Sequence, residues 1–544
     1  MMNKNALDSF PENYTPTKQQ TKILNRVNTF LNGKKKYALI SAPTGSGKSF
    51  VSKAICNATD ECTDDFRQLS LDYDLYKKDY QSGKLQHDDF LASTQPFGAF
   101  ILTITKSLQD QYISQFDDIR NYKGKSNYDC EVEPEFNVQT APCVFAHKLR
   151  DDCWSNDICP YYRARNDALS SRVSTINYRK FLTIQPEFKQ KQVIVCDEAS
   201  ELEEELVSTF SLTVNYKELK HHGIECSKLV TSSYAKSRQW LNSLLIEVEE
   251  QKETLAAHQK RVKRSQRELS KLTFLLNMSE SLAQVEWNWQ NCEYVIDKNA
   301  ERVIFTPLKV DKLTKHIFNH GEKIVLMSAT FIDVDQYCKD IGINKKDCDI
   351  IHVESTFDPE KSPIIVSDRY KINFKTKHAV LPKLMPLVRG ILDYHKEDKG
   401  VIHTHSMDIT EYIGDKINDP RLIIRNQEIS NDDMLVEHAN SDLPTVLVSP
   451  SLRFGVDLKD ELARFQIIMK VPYPPLSDKR ISKLFNNDKN WYTGKTLSTL
   501  VQTCGRATRS KNDHSVTYIL DAAVVKLLEM NKNKLPDHFI KRIR

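Results

Sequence analysis

Long apolar runs are missing from this chain. No stretch of its 544 residues approaches the roughly 18 apolar residues of a membrane-spanning helix. The opening segment MMNKNALDSFPENY is polar where a secretory signal would carry an apolar core. Together these absences predict a cytoplasmic protein without a membrane partner. Strong charge of one sign is missing too. Lysine and arginine total 77 against 73 acids, a formal net charge of +4. Bulk charge therefore does not demand nucleic acid, and any basic channel must arise by segregation. Glycine is scarce, at 15 residues, so Gly45, Gly47, Gly455 and Gly505 are informative: each falls in a motif described below. No CxxC pair occurs, which argues against a zinc ribbon.

What is present reads as a multidomain globular chain. It is 40% hydrophobic and 28% charged, a balance that argues against disorder. YALIS (37–41), AFILTIT (99–105), QVIVCDEA (192–199) and KIVLMSAT (323–330) are short apolar runs ending in turn or polar residues, as buried strands do. After ESTFDPEKSP (354–363) come PIIVSD, GVIHTH (400–405), PTVLVSP (444–450) and FQIIMKVPYPP (465–475), of the same kind. Helical patterns separate them, which predicts an α/β fold of parallel sheets covered by helices. Two stretches interrupt the first half. Residues 121–176 carry four cysteines and few strand signals, and residues 224–306 contain neither Gly nor Pro. In the second stretch Leu241, Val248, Leu255, Val262, Leu269 and Leu276 recur every seven residues, which predicts a long amphipathic helix or a helical hairpin.

The chemistry begins at ALISAPTGSGKSF (38–50). Glycines let backbone N–H groups turn toward phosphate oxygens, and the helix that follows adds positive potential. Ala42, Pro43, Thr44, Gly45, Ser46 and Gly47 form the loop, Lys48 is placed to reach the β- and γ-phosphates, and Ser49 to ligate Mg²⁺. VIVCDEAS (193–200) delivers Asp197 for the Mg²⁺ shell and Glu198 to polarise the attacking water. These two motifs predict ATP hydrolysis. QTCGRATR (502–509) places Gln502, Arg506 and Arg509 at spacings that coincide on one helix face. Arginines from a second domain can stabilise charge on the γ-phosphate, which would link domain closure to hydrolysis.

APTGSGKS, DEAS, SAT (328–330), GVDL (455–458) and QxxGRxxR, in this order, resemble the superfamily 2 helicases. TKSLQDQY (105–112), KGKSNYDC (123–130), CPYYRAR (159–165) and STINY (174–178) look more narrowly like the DinG/XPD-type iron–sulfur helicases. The resemblance runs from about Thr17 to Asp521. It implies two RecA-like motor domains, the first at 1–120, 177–200 and 301–353 and the second at 354–544. It also implies an iron–sulfur insertion at 121–176 and a helical arch at 201–300. Gln20 matches the adenine-sensing glutamine, and Gly455 and Asp457 belong to the nucleotide-responsive motif of the second domain. Three departures stand out: Ser200 replaces the histidine of DEAH, Phe454 stands where a glutamate is usual, and VIHTHSM brings two histidines into motif IV. The phosphate loop starts at Ala42, so the N-terminal exonuclease that some relatives carry is not expected.

Cys130, Cys143, Cys153 and Cys159 form the one dense cysteine cluster, with gaps of twelve, nine and five residues. Four thiolates suit a cubane cluster or a structural zinc, and spacing does not choose between them. The resemblance chooses 4Fe–4S. Such a centre can supply folding energy to an insertion too small to bury much core. Single-strand contact requires cations and flat rings. The candidates are Thr105, Lys106, Gln109, Lys123, Lys125, Tyr128, Tyr161 and Arg163; Tyr162 is a further ring in the same run. The expectation is a monomeric ATP-dependent helicase that moves 5′ to 3′ on single-stranded and forked DNA. Two alternatives are kept beside it: an ATP-driven translocase or remodeller without general unwinding, and a nucleic-acid-binding redox-sensing module.

Overall fold

The computed structural model describes residues 4–43, 45–61, 96–144, 149–150, 152–153, 157–184, 189–257, 266–426, 429–452, 458, 460–508 and 513–544. In the first half the strands are β1 (Tyr37–Ser41), β2 (Ala99–Thr103), β3 (Arg120–Tyr122), β4 (Val173–Asn177), β5 (Lys191–Cys196), β6 (Leu212–Asn215), β7 (Tyr294–Lys298), β8 (Arg302–Pro307), β9 (Gly321–Ser328) and β10 (Cys348–His352). Seven of them form one parallel sheet in the order β10-β1-β9-β5-β2-β4-β3. Its central members are Val-, Ile- and Leu-rich and buried on both faces, as strands between two helical layers must be. The second half builds a second parallel sheet from β11 (Ile364–Val366), β12 (Gly400–His403), β13 (Leu422–Ile424), β14 (Val446–Ser449), β15 (Phe465–Ile468) and β16 (Val516–Ile519), in the order β11-β16-β15-β12-β14-β13. The expected pair of parallel α/β sheets is therefore present.

Helices used below are α1 (Lys18–Leu31), α2 (Lys48–Asn57), α3 (Lys106–Gln115), α4 (Pro160–Ser170), α5 (Leu202–Phe210), α6 (Tyr234–Ala257), α7 (Gln266–Asn288), α8 (Val334–Asp340), α9 (Lys479–Asn487) and α10 (Lys489–Cys504).

The structure moves several boundaries. β3 and β4 pair with each other and, through β2, with the motor sheet, so both ends of the 121–176 stretch belong to that sheet. The cysteine-bearing excursion narrows to the residues between Tyr122 and Val173. The Gly- and Pro-free stretch folds as a hairpin of α6 and α7, closed at its base by a bidentate contact of Arg238 with Glu286. One heptad does not run through both helices. Leu241, Leu244 and Val248 of α6 meet Leu275, Met278, Leu282 and Val285 of α7, while Leu276 is only half-buried. Each arm of an antiparallel hairpin turns its own stripe inward, so the register breaks at the bend; Val262 lies outside the described residues. A three-stranded antiparallel sheet, β6-β8-β7, supports the hairpin and has no counterpart in the sequence reading. α10 ends at Cys504 with Gly505 as its cap, so Arg506 sits in the turn beyond the helix and not on its face with Gln502. Arg509 lies outside the described residues, as do Thr44, Arg453, Phe454, Gly455 and Asp457.

The two halves meet around one buried carboxylate. Glu203, on α5, accepts from Arg480 Nη2 at 2.7 Å, from Trp491 Nε1 at 3.0 Å and from Lys495 Nζ at 2.9 Å. Arg480 lies on α9; Trp491 and Lys495 lie on α10. Burial alone would raise Glu203, but Lys495 and Arg480 more than offset it and hold the carboxyl at about 2. Gln336 and Lys339 of α8 extend the joint by donating to Asp488 at 3.1 and 2.6 Å. Removing one partner of a buried ion pair strands the others. Glu203→Ala should therefore destabilise the docked halves by about 3–5 kcal/mol, read as a lower urea midpoint; an unchanged midpoint would show that the cluster does not hold the interface.

Candidate functional site

In a parallel sheet, chemistry gathers at the carboxyl ends of the strands. β1, β9 and β5 are neighbours, with Ser41 in register with Ser328 and Cys196 with Leu326. Their ends therefore bring the loop 42–47, the Ser-Ala-Thr turn and the acid pair to one edge. Ala42 is buried and donates its N–H to Ser328 O at 3.0 Å. Pro43 O accepts from Ser46 N at 3.2 Å. Gly45 and Gly47 have φ of 77° and 74°, backbone that favours glycine. A Cβ at Gly47 would lie 2.3 Å from Gln20 Nε2, so a side chain there would also displace the Gln20 amide. Gln20 itself donates to Gly47 O at 3.3 Å and accepts from Thr17 N at 2.8 Å. It thus ties the start of α1 to the loop. The neighbouring Gln19 reaches away to Glu354 O.

Lys48 opens α2, and its Nζ lies 3.4 Å from Glu198 Oε1. Glu198 has φ of 49°, a strained conformation for a residue with a side chain and one found where function holds it. Asp197 is buried. Its Oδ1 accepts from Glu198 N at 3.0 Å and its Oδ2 from Tyr112 Oη at 3.0 Å. Burial, with the Glu198 charge beside it, pushes the Asp197 carboxyl up to about 6, against the pull of Lys48. A divalent cation would relieve that penalty. Ser49 Oγ donates to Gln115 Oε1 at 2.8 Å. Ser46 Oγ and Thr330 Oγ1 are buried without a hydrogen-bond partner among the described residues. The donors and carboxylates at this edge fit a phosphate chain with a hard cation.

The second domain reaches this edge through Gln502. Its Nε2 donates to Ser200 Oγ and to Glu201 Oε1, both at 3.1 Å, and Ser328 Oγ donates to the same Ser200 oxygen at 2.9 Å. Ser200, where a histidine was expected, is thus the meeting point of β9, the acid loop and α10. Pro43 of the loop also faces Gly505 and Thr508 across one cleft. Arg506 follows Gly505, near the buried His403 at the end of β12. Gln115, Glu201 and the Glu203 cluster were not singled out in the sequence, and Tyr112 and Ser328 entered only inside the motifs TKSLQDQY and SAT. Tyr112 had a signal: it lies three residues after Gln109 and seven after Thr105, a helical spacing.

The four cysteines come from four local structures. Cys130 lies in a small hairpin with an antiparallel bridge from Asp129 to Asn137, Cys143 in a 3₁₀ turn, Cys153 carries the carbonyl that accepts from Ile158 N, and Cys159 caps α4. Burial pushes the Cys143 thiol up to about 11, and the charges of Cys153, Cys130 and Cys159 add to the rise. Glu133 N donates to Cys130 Sγ at 3.5 Å, a contact that suits a thiolate. Four soft sulfur donors fit a cationic centre. Among the described residues, however, no group of three or more His, Cys, Asp or Glu side chains forms a ready metal site.

The strand-contact candidates divide. Lys106 is exposed and Thr105 caps α3. Gln109 is fully buried, with its amide committed to Asn121 Oδ1 at 2.9 Å and to Thr175 O at 3.3 Å, so it is a packing residue in this conformation. Tyr161 is buried too, bonded to Tyr122 Oη at 2.6 Å and Lys180 Nζ at 2.8 Å. Tyr128 is half-buried and accepts from Lys123 N; Lys123 pairs with Asp110 and Arg163 with Glu131. Lys125 lies 5.6 Å from the centre of the Tyr161 ring.

Comparison with known proteins agrees with this geometry. Residues 392–542 match the helicase C-terminal domain family. Across nearly the whole chain the fold is similar to a solved XPD helicase, with TM-score 0.63, 16% identity, and 96% of this chain and 98% of that one covered. It is also similar to Xpd4 of S. tokodaii, with TM-score 0.54, 16% identity and coverage of 97% and 99%. No curated protein matches the chain by sequence. The chain therefore has the fold of the XPD-type superfamily 2 helicases and carries a helicase C-terminal domain. Among the described residues no helix is long and apolar enough to cross a membrane.

Two carboxyls at the interface give a pH signature. Burial and then Glu204 push Glu201 up to about 7, and burial and then Glu203 push Asp340 up to about 7. Both lie above their unfolded values of about 4. The folded chain then holds extra protons between roughly pH 4 and pH 7, and stability falls as pH rises through that window. Asp340→Asn should raise the melting temperature at pH 8, with the gain shrinking toward pH 4. A gain independent of pH would contradict this assignment.

Proposed function

We propose that this chain, built on the two-motor fold of the XPD-type helicases, is an ATP- and Mg²⁺-dependent DNA helicase. It works as a cytoplasmic monomer, moves 5′ to 3′ on single-stranded DNA and opens forked duplex. The observation that carries the reading is the convergence of Lys48, Asp197 and Glu198 with Gln502 of the second domain at one sheet edge.

The ground state pairs Lys48 with Glu198. Arriving phosphates compete for the ammonium and free the Glu198 carboxylate to orient and polarise water at the γ-phosphate. Ser49 and Asp197 would hold Mg²⁺, which neutralises charge on the phosphate chain. Arg506 and Arg509 are assigned to the γ-phosphate from the second domain. Gln502 reports the state of the acid loop through Ser200 and Glu201, and the Glu203 cluster keeps the two halves in contact as the cleft opens and shuts. Gln20 is assigned to the adenine, and Gly455 and Asp457 to the nucleotide-responsive motif of the second domain.

Cys130, Cys143, Cys153 and Cys159 would hold a 4Fe–4S cluster, whose role is structural: it sets the shape of the excursion that splits the fork. Thr105, Lys106, Lys123, Lys125 and Arg163 are assigned to the phosphate backbone, so affinity should fall with salt and depend little on sequence.

Lys48→Ala should abolish ATP turnover, and turnover at the wild-type rate would remove this site from the mechanism. Cys153→Ser should lose the iron, about four per chain in the wild type, and lose fork unwinding while retaining ATPase. Unwinding by an iron-free variant would refute the wedge role.

A further inference from the structure

We infer that Tyr112 and Gln115, three residues apart on α3, are positioning residues for the Mg²⁺ ligands and join them to the strand-binding end of the same helix. The inference rests on the ATPase reading above.

α3 touches both ligands. Tyr112 is buried, and its Oη lies 3.0 Å from Asp197 Oδ2 and 3.2 Å from Ser52 Oγ. Its single proton goes to the carboxylate, the stronger acceptor. With Oδ1 accepting from Glu198 N, the Asp197 carboxylate is fixed from two sides and turns its remaining lone pairs to the cleft. Gln115 acts on the other ligand. Ser49 Oγ commits its proton to Gln115 Oε1 at 2.8 Å. A hydroxyl whose proton is already directed away offers a cation only lone pairs, which is the orientation a Mg²⁺ ligand requires.

The helix is held as a rigid bar. Thr105 caps its start by accepting from Leu108 N at 3.2 Å. Gln109, one turn on, is locked to Asn121 and Thr175 in the strands beside it. Tyr112 and Gln115 come next along the same side. A strand held at Thr105 and Lys106 and a cation held at Ser49 and Asp197 therefore bear on one element. By linkage, each must change the affinity of the other by the same factor.

The test uses the full-length chain with a non-hydrolysable ATP analogue and Mn²⁺ in place of Mg²⁺, so that metal affinity is read by electron paramagnetic resonance without turnover. Affinity is measured with and without oligo-dT for wild type, Tyr112→Phe and Gln115→Leu. Both substitutions should weaken Mn²⁺ binding by about 10- to 100-fold and shrink the oligo-dT effect. Gln115→Leu, at a half-buried position, should leave the melting temperature unchanged, which separates positioning from packing. A wild type with a nucleotide-dependent Mn²⁺ site and variants that match it would overturn the inference alone. A wild type without such a site would overturn the ATPase reading and this inference with it.

Discussion

Glu203 carries its charge where water does not reach, and three side chains of the second half converge on it. A lone carboxylate there would cost several kcal/mol, so the charge is tolerable only while Arg480, Trp491 and Lys495 stay in place. This condition fixes α10 against α5. α5 follows directly on the acid loop of Asp197 and Glu198, and α10 carries Gln502 to Ser200 and Glu201. The docking of two α/β halves and the alignment of the proposed ATP site are thus set by one electrostatic requirement.

The reactive groups of the site hold one another in check. Lys48 neutralises Glu198, while Asp197 sits above its ordinary range because burial and Glu198 both oppose its charge. A site built for a polyanion with a divalent cation has this character: each of its charges is balanced inside the protein until the ligand offers a better balance. Ser200 belongs to the same logic. Its hydroxyl oxygen accepts from Ser328 and Gln502 at once, which ties the acid loop to β9 and to α10.

Much of this was legible in the sequence because the motifs are local. A strand, a Gly-bearing turn and a helix must place Lys48 and Ser49 where they are, and β5 must deliver Asp197 at its end. What escaped was non-local or short. β3, β10, β13 and β16, of three to five residues, went unread. β6 pairs with β8 across the whole helical hairpin, so its partner is far away in sequence, whereas β7 and β8 are chain neighbours that went unread. Gln109 and Tyr161 had the chemistry of strand contacts, but tertiary packing spent their polar atoms internally. Glu203 looked like one acid among several in ELEEEL, and only the fold identifies it as the one paired with Arg480, Trp491 and Lys495.

The central claim is that ATP hydrolysis between these halves drives strand separation. The most direct measurement is displacement of a labelled strand from forked DNA carrying a 5′ or a 3′ single-stranded tail, with ATP or its non-hydrolysable analogue. The account predicts displacement only with ATP and only from the 5′-tailed fork. Steady ATP turnover with neither fork opened would contradict it, and so would displacement supported by the analogue.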